Sequence, residues 1–240
     1  MKRWMVFAVS IMLFICGCSK NGSYTVRTLT DEAETDYSSV YSETLEFGGF
    51  ENKEYQSELN EQLLKDVGNM VNEFDKTAKE ASESLPDGVK AAINITQRVT
   101  LNKDGIISFV TENYTYLGGA HGTTAWMPYT INVREENPHR LELRELFKSE
   151  DGYIDAINRL IDAMVEKDPE KYSGLWAEPH INADEHQDRF YLTDEELVIF
   201  FPPYDLSYYA KGFIEFPIRR TELNGLLKDE YRITDTKTTG

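Results

Sequence analysis

The chain has 240 residues, of which 25 are Lys or Arg and 42 are Asp or Glu, giving a formal net charge of −17 and a pI near 4.7. Charge of that sign opposes nucleic-acid phosphates and anionic lipid headgroups and is compatible with a cationic partner, although acidity also serves solubility alone. With 40 % apolar residues and 12 % aromatics the chain can bury a core, and its only cysteines, Cys16 and Cys18, leave disulfides no part in holding it.

Lys2 and Arg3 precede an apolar run from Trp4 to Ile15. That is the length of a signal-peptide hydrophobic region and too short to span a bilayer. The run ends in Ile15-Cys16-Gly17-Cys18, which looks like a bacterial lipobox, where a small residue precedes a cysteine that is lipidated and becomes the new N-terminus. An ordinary secretory signal with incidental cysteines is the alternative. The lipobox predicts a lipoprotein signal peptide over residues 1–17 and a diacylated Cys18. Processing removes Lys2 and Arg3 and no acid, so the charge moves from −17 to −19. The membrane is then met through the lipid anchor only, and the body is expected in the cell envelope, outside the cytoplasm. Residues 18–36 are polar, with scattered Tyr24, Val26, Leu29 and Ala33, and read as a flexible tether.

Tyr37 to Phe47 reads as a strand, closed by Gly48-Gly49. The strongest helix signal follows: Leu59, Leu63, Val67, Met70, Val71, Phe74, Ala78 and Ala81 recur at three- and four-residue steps. Asn52 is its expected N-cap and Pro86-Asp87-Gly88 its stop. Strands are expected over Ala91 to Leu101 and Gly105 to Leu117, joined by a hairpin at Asn102-Lys103-Asp104-Gly105, and over Thr124 to Val133, antiparallel to the strand before it. Leu143 to Phe147 and Tyr153 to Glu166 read as a short and a longer helix. Phe190 to Leu192 and Leu197 to Phe201 read as a hairpin, Phe213 to Ile218 as a last strand, and Glu222 to Leu227 as a short helix. Strands and helices in separate runs indicate α+β: antiparallel sheet packed by one long N-terminal helix and one or two shorter ones. The expected organisation is a helix-plus-sheet subdomain over residues 37–123, a second subdomain over 124–228 and a polar, frayed tail over 229–240.

Two loops carry the candidate binding residues. One holds Gly118, Gly119, His121 and Gly122, after the alternating Tyr114-Thr115-Tyr116; the other runs from Pro202 through Tyr204 and Tyr208 to Gly212. Glycines let a partner approach the backbone, and Tyr and Pro offer rigid contact area at low entropy cost. If the loops occupy neighbouring strand ends they make one recognition surface. The plainer reading is a glycine bulge that turns one strand into the next, with His121 capping backbone carbonyls.

Catalytic readings are thinner. Glu178 to Asp188 crowds His180 and His186 among acids, a donor set that zinc or manganese accepts, but the spacing matches no His-Glu-x-x-His pattern. A solvated acidic loop is the simpler reading, and a metal-dependent envelope hydrolase using this region the alternative function. No Gly-x-Ser-x-Gly elbow is present, and a Ser207–His121 pair requires the two loops to meet. His139, between Pro138 and Arg140, reads as a surface turn residue.

The stretch Gly49 to Tyr55 with Leu59-Asn60, the tract Tyr114 to Gly122, Leu143 with Leu146-Phe147, Phe190-Tyr191-Leu192, and Pro203-Tyr204 with Tyr208, Ala210 and Gly212 share a pattern. Together they resemble the extracellular domain of RsiV-type (lysozyme-sensing) anti-sigma factors and the non-catalytic N-terminal region of PdaC-type peptidoglycan deacetylases. The resemblance runs from about Tyr37 to Leu227. It implies a binding scaffold associated with lysozyme or with proteins acting on the cell wall. An RsiV-type regulator needs a cytoplasmic sigma-binding segment and a transmembrane helix, where a signal peptide is expected here. A PdaC-type enzyme needs a metal-binding deacetylase domain, and the chain ends before one follows. What the resemblance implies is therefore a non-enzymatic envelope protein without a cofactor, binding a lysozyme-like protein or peptidoglycan.

Overall fold

The computed structural model describes residues 10–12, 24–134 and 138–233. Cys18 and most of the expected signal peptide lie outside the described residues; of the apolar run only Ser10–Met12 is described, as a strand. Among the described residues no helix is long and apolar enough to cross a membrane.

The fold is α+β. One sheet contains, in spatial as in chain order, β1 (Ser10–Met12), β2 (Thr25–Glu34), β3 (Ser38–Gly48), β4 (Ala91–Lys103), β5 (Ile106–Tyr116), β6 (Thr123–Asn132) and β7 (His139–Arg140). A second sheet has three strands, β8 (Phe190–Leu192), β9 (Glu196–Phe201) and β10 (Ile214–Arg219), with β9 in the middle. The helices are α1 (Lys53–Ala81), α2 (Tyr153–Lys167) and the single turn α3 (Arg220–Leu223). All pairings are antiparallel except β3–β4, which α1 connects and which is parallel.

The long helix forms where its apolar period begins. The Asn52 side chain accepts the Tyr55 N–H at 2.9 Å and satisfies one of the unpaired first-turn amides. Leu63, Val67, Phe74 and Ala78 are buried. Val67, Phe74 and Ala78 pack on Ala91, Ile93 and Ile95 of β4, while Leu63 joins Leu45, Phe47, Ile107, Phe109 and Ile131. On the opposite face of the sheet, Leu101 and Ile106 enter the core of α2 and the second sheet, with Tyr153, Ile157, Leu197, Phe216 and Ile218. Val110 packs there with Tyr191, Val198 and Phe200. Strand β5 is thus buried on both faces, from Ile106 through Thr111. Its central polar residue is satisfied across the layers: Ser108 Oγ pairs with Thr130 Oγ1 at 2.9 Å and accepts the Leu192 N–H at 3.0 Å.

The parallel ladder of β3 and β4 ends at Ser42 opposite Ile95. Beyond it the Gln97 side chain replaces the missing ladder, accepting the Leu45 N–H at 2.6 Å and donating to Thr111 Oγ1 at 2.9 Å. The β4–β5 turn is the expected hairpin, with Asp104 at φ 52° and Gly105 at φ 76°, the two-residue geometry whose twist matches its strands.

Several expectations need correction. The tether expected over residues 18–36 is a strand from Thr25 to Glu34, paired along its length with β3. Tyr24 is also fixed, with its ring edge-on to Phe50 at 4.8 Å and its N–H on Asn102 Oδ1 at 2.9 Å. The expected division between 123 and 124 falls at the start of β6, a strand hydrogen-bonded to β5 from Thr123 to Asn132. The tail begins inside the fold, since Tyr231 is 2 % exposed and its hydroxyl accepts from Asn132 Nδ2 at 3.2 Å. Residues 234–240 lie outside the described chain.

Phe74 is 4 % exposed at the centre of the helix–sheet contact. Phe74→Ala is expected to destabilise the protein by about 3–5 kcal/mol, read as a shifted midpoint in denaturant unfolding. An unmoved midpoint would show that the stripe is not a core.

Candidate functional site

Leu117 to Gly122 link β5 to β6, and Pro202 to Phe213 link β9 to β10. The two loops meet. The His121 ring lies on Tyr209, centroids 4.1 Å apart and planes within 12°, and Tyr209 sits 5.7 Å from the ring of Tyr204. Beneath them Trp126 of β6 stacks on Phe213 at 4.0 Å and stands edge-on to Phe200 at 5.5 Å. The junction is an aromatic contact between strands of the two different sheets.

The glycine tract is required by the turn itself. Gly118 has φ 106°, and a Cβ there would lie 2.6 Å from Leu85 Cδ2; a Cβ on Gly122 would lie 2.5 Å from Tyr114 Cζ and 2.6 Å from the Thr115 carbonyl. Gly119 also has positive φ and faces open space. His121 is the side chain this turn presents. Its Nδ1 is 2.8 Å from the Gly122 carbonyl, which can only accept, so in the neutral ring the proton is on Nδ1 and Nε2 is an acceptor.

The second loop is braced more heavily. Tyr204 has φ 73°, left-handed backbone that costs a bulky residue about 1–2 kcal/mol. Its N–H donates to the Ser207 carbonyl at 3.1 Å, and the Asp205 N–H to the Pro202 carbonyl at 3.2 Å. Arg189 pairs with the Asp205 carboxylate at 2.7 Å. Ser207, 2 % exposed, donates its hydroxyl to the Gly174 carbonyl at 2.9 Å, which commits that hydroxyl away from nucleophilic work. Trp176 reaches the same loop twice, through its indole N–H to the Asp205 carbonyl at 3.2 Å and its backbone N–H to the Leu206 carbonyl at 3.0 Å. Held this way, Tyr204 (58 %), Tyr208 (55 %) and Trp176 (58 %) remain exposed. Pro202 is half-buried at the start of the turn.

Trp176 was not among the residues the sequence singles out. It follows Gly174-Leu175 in a stretch with no periodicity, so no helix or strand pattern flagged it; a lone tryptophan in a charged, aperiodic segment is the signal that was there to use.

The histidines proposed as an alternative metal pair have separate partners. His180 Nε2 is 2.8 Å from Asp162 on α2, with Glu178 3.6 Å from its Nδ1. His186 Nδ1 accepts the Asn182 N–H at 3.1 Å; burial, then the Arg189 charge, hold its pKa below the ordinary value. Among the described residues no three His, Cys, Asp or Glu side chains are grouped to hold a metal. His139 lies on β7, its Nε2 2.9 Å from Glu145.

Residues 31–124 match the family model described as "Deacetylase PdaC", and residues 144–221 that described as "Protein of unknown function (DUF3298)". The chain is 21 % identical over 215 residues to peptidoglycan-N-acetylmuramic acid deacetylase PdaC of Bacillus subtilis, covering 89 % of this chain and 44 % of that protein. It is 29 % identical over 217 residues to anti-sigma-V factor RsiV of the same organism, covering 82 % of this chain and 68 % of that one. The match thus spans less than half the length of the deacetylase. A solved DUF3298 family member from Bacteroides fragilis has a TM-score of 0.68 at 16 % identity, over 88 % of this chain and 96 % of that chain. Another from Pseudomonas aeruginosa has a TM-score of 0.58 at 15 % identity, over 96 % of both. The resemblance to RsiV and PdaC proteins is borne out in sequence, and the fold by the two structures.

The strain at Tyr204 gives a stability test independent of any ligand. Tyr204→Gly relieves the left-handed backbone and Tyr204→Ala keeps it, so the glycine variant is expected to be more stable by about 1 kcal/mol in denaturant unfolding. Equal stabilities would mean that the turn relaxes when the ring is removed.

Proposed function

We propose that this chain is a non-enzymatic, lipid-anchored protein of the cell envelope whose ectodomain binds an extracytoplasmic partner, a lysozyme-like protein or cell-wall glycan, through the loop junction. The observation that carries the reading is the His121–Tyr209 stack, which makes one surface of two loops and leaves Tyr204 and Tyr208 exposed beside it. Aromatics fixed before binding lose little entropy when a partner covers them, and tyrosine is enriched among residues that dominate binding energy. The matches to a peptidoglycan deacetylase and to an anti-sigma factor support an envelope setting.

The anchor fits the geometry. Cys18 precedes Tyr24 by six positions, and a chain of that length spans at most about 20 Å. Tyr24 lies at the end of the sheet where β3 and β4 finish, as its bonds to Asn102 require. The His121 loop lies at the opposite end, where β3 and β4 begin and β5 finishes. A strand of that length separates the two ends by about 35 Å. A lipid on Cys18 therefore tethers one end of the sheet and leaves the loop junction at the other.

Binding of the purified full chain to lysozyme and to peptidoglycan fragments, measured by surface plasmon resonance, tests the site. Tyr204→Ala is expected to weaken binding by about 1–2 kcal/mol without unfolding the domain. His121→Ala is expected to couple non-additively with it, because residues in contact through Tyr209 share their energy. Strict additivity, or unchanged binding, would place recognition elsewhere. For the anchor, Cys18→Ser is expected to release the protein or leave its precursor unprocessed; unchanged membrane retention after detergent-free washing would refute the lipid.

A further inference from the structure

Beside the loop junction Trp176 borders an open cavity of about 570 Å³, whose other walls include Val165, Glu166, Tyr172, Glu178 and Pro179. The indole N–H is spent on the Asp205 carbonyl, so the exposed part of the ring offers a partner its hydrocarbon and π surface, not a donor. Tyr172 is 6 % exposed, and the protein's own Lys171 places its ammonium 4.8 Å from that ring's centroid. Asp162 is engaged by His180 at 2.8 Å and Glu178, 87 % exposed, lies 3.6 Å from the same ring, whereas Glu166 has no hydrogen-bond or ion-pair partner among the described residues.

We propose that this cavity receives a cationic side chain of a partner protein, an arginine guanidinium or lysine ammonium placed against Trp176 between Glu166 and Glu178. The inference rests on the binding reading above and narrows its partner to a basic protein surface. A ring quadrupole attracts a cation, and the two carboxylates supply the counter-charge. Carboxylates also accept hydrogen bonds from sugar hydroxyls, so a neutral sugar stacked on the indole is the competing occupant, and the titration below separates the two. Wall polymers bearing carboxylates or phosphates are opposed by the net charge of −17, which steers basic proteins inward.

Titration of the full chain with tetra-arginine, followed by tryptophan fluorescence, tests the cavity. Tetra-glutamate and the trisaccharide of N-acetylglucosamine serve as the other two probes. A saturable response to tetra-arginine alone is expected, absent in Trp176→Phe, which leaves Trp4 and Trp126 as background emitters. Its half-saturation point is expected to rise about five- to tenfold in the Glu166→Gln/Glu178→Gln double variant and to rise with added salt. Both variants change exposed side chains, and circular dichroism checks that they fold. A response to the trisaccharide in place of tetra-arginine would overturn the proposal in favour of a glycan subsite. Equal tetra-arginine binding by the double variant and the wild type would also overturn it. Neither readout requires an envelope partner, so a negative titration removes the cavity alone and leaves the loop-junction reading to the Tyr204→Ala measurement.

Discussion

Strand β5 must be buried on both faces, and the rest of the molecule is arranged to meet that demand. Its odd-numbered residues Ile107 and Phe109 face the α1 side, while Ile106 and Val110 face the second sheet and α2. Buried apolar side chains of this size contribute about 1.5–3 kcal/mol each, so neither covering layer is dispensable. The polar members are satisfied only by partners in other elements: Ser108 by Thr130 and Leu192, Thr111 by Gln97. An orphaned polar group at this depth would cost about 1–3 kcal/mol, which ties the register of β5 to both neighbours. The register then fixes where β5 ends, and with it where the His121 loop emerges.

The candidate site carries backbone strain at one of its most exposed residues. Tyr204 adopts left-handed backbone in a loop otherwise rich in hydrogen bonds, several of them to main-chain carbonyls of neighbouring segments. Carbonyls of Gly174, Asp205, Leu206 and Ser207 are all engaged, which stiffens the loop without consuming the aromatic rings. Strain of this kind persists only where the surroundings over-determine it, and it concentrates at sites of function. Contacts of Tyr204 with the core do not explain it, since the ring is mostly in solvent.

How much of this was legible in the sequence depended on whether a residue's signal was local. The helix α1 was readable because one face repeats from Leu59 to Ala81, about six turns, and its cap was named by Asn52 itself. The hairpin at Asp104-Gly105 was readable because two successive positive φ angles demand such residues. The composition of the two loops raised their approach only as a condition, and the stack of His121 on Tyr209 could not be read from it, because it depends on how two sheets are layered. Strand β2 was missed because it is a polar strand toward the sheet edge: Thr25, Arg27, Thr28, Thr30, Asp31 and Glu32 leave little alternation to see. The parallel pairing of β3 and β4 has no local signature, since the residues that pair lie about fifty positions apart. Tyr231 read as tail because its partner, Asn132, is 99 positions away.

The two family matches abut a stretch that neither covers, residues 125–143, and that stretch holds most of β6 and all of β7. The structure gives this stretch the central place. Through Thr123–Asn132, β6 completes the first sheet, and through Trp126 it stacks on Phe213 beside the second. A cut at either family boundary would expose β5 and the aromatic floor of the loop junction together. The recognition surface proposed here thus belongs to neither half alone: His121 comes from one, Tyr204 and Tyr209 from the other, and β6 holds them in contact. Both solved structures align over nearly the whole of their own chains, so the fold they share with this protein spans both family matches. The double burial of β5 keeps the two loop tips together whatever side chains they carry, so the scaffold and the proposed surface make separate demands on the sequence.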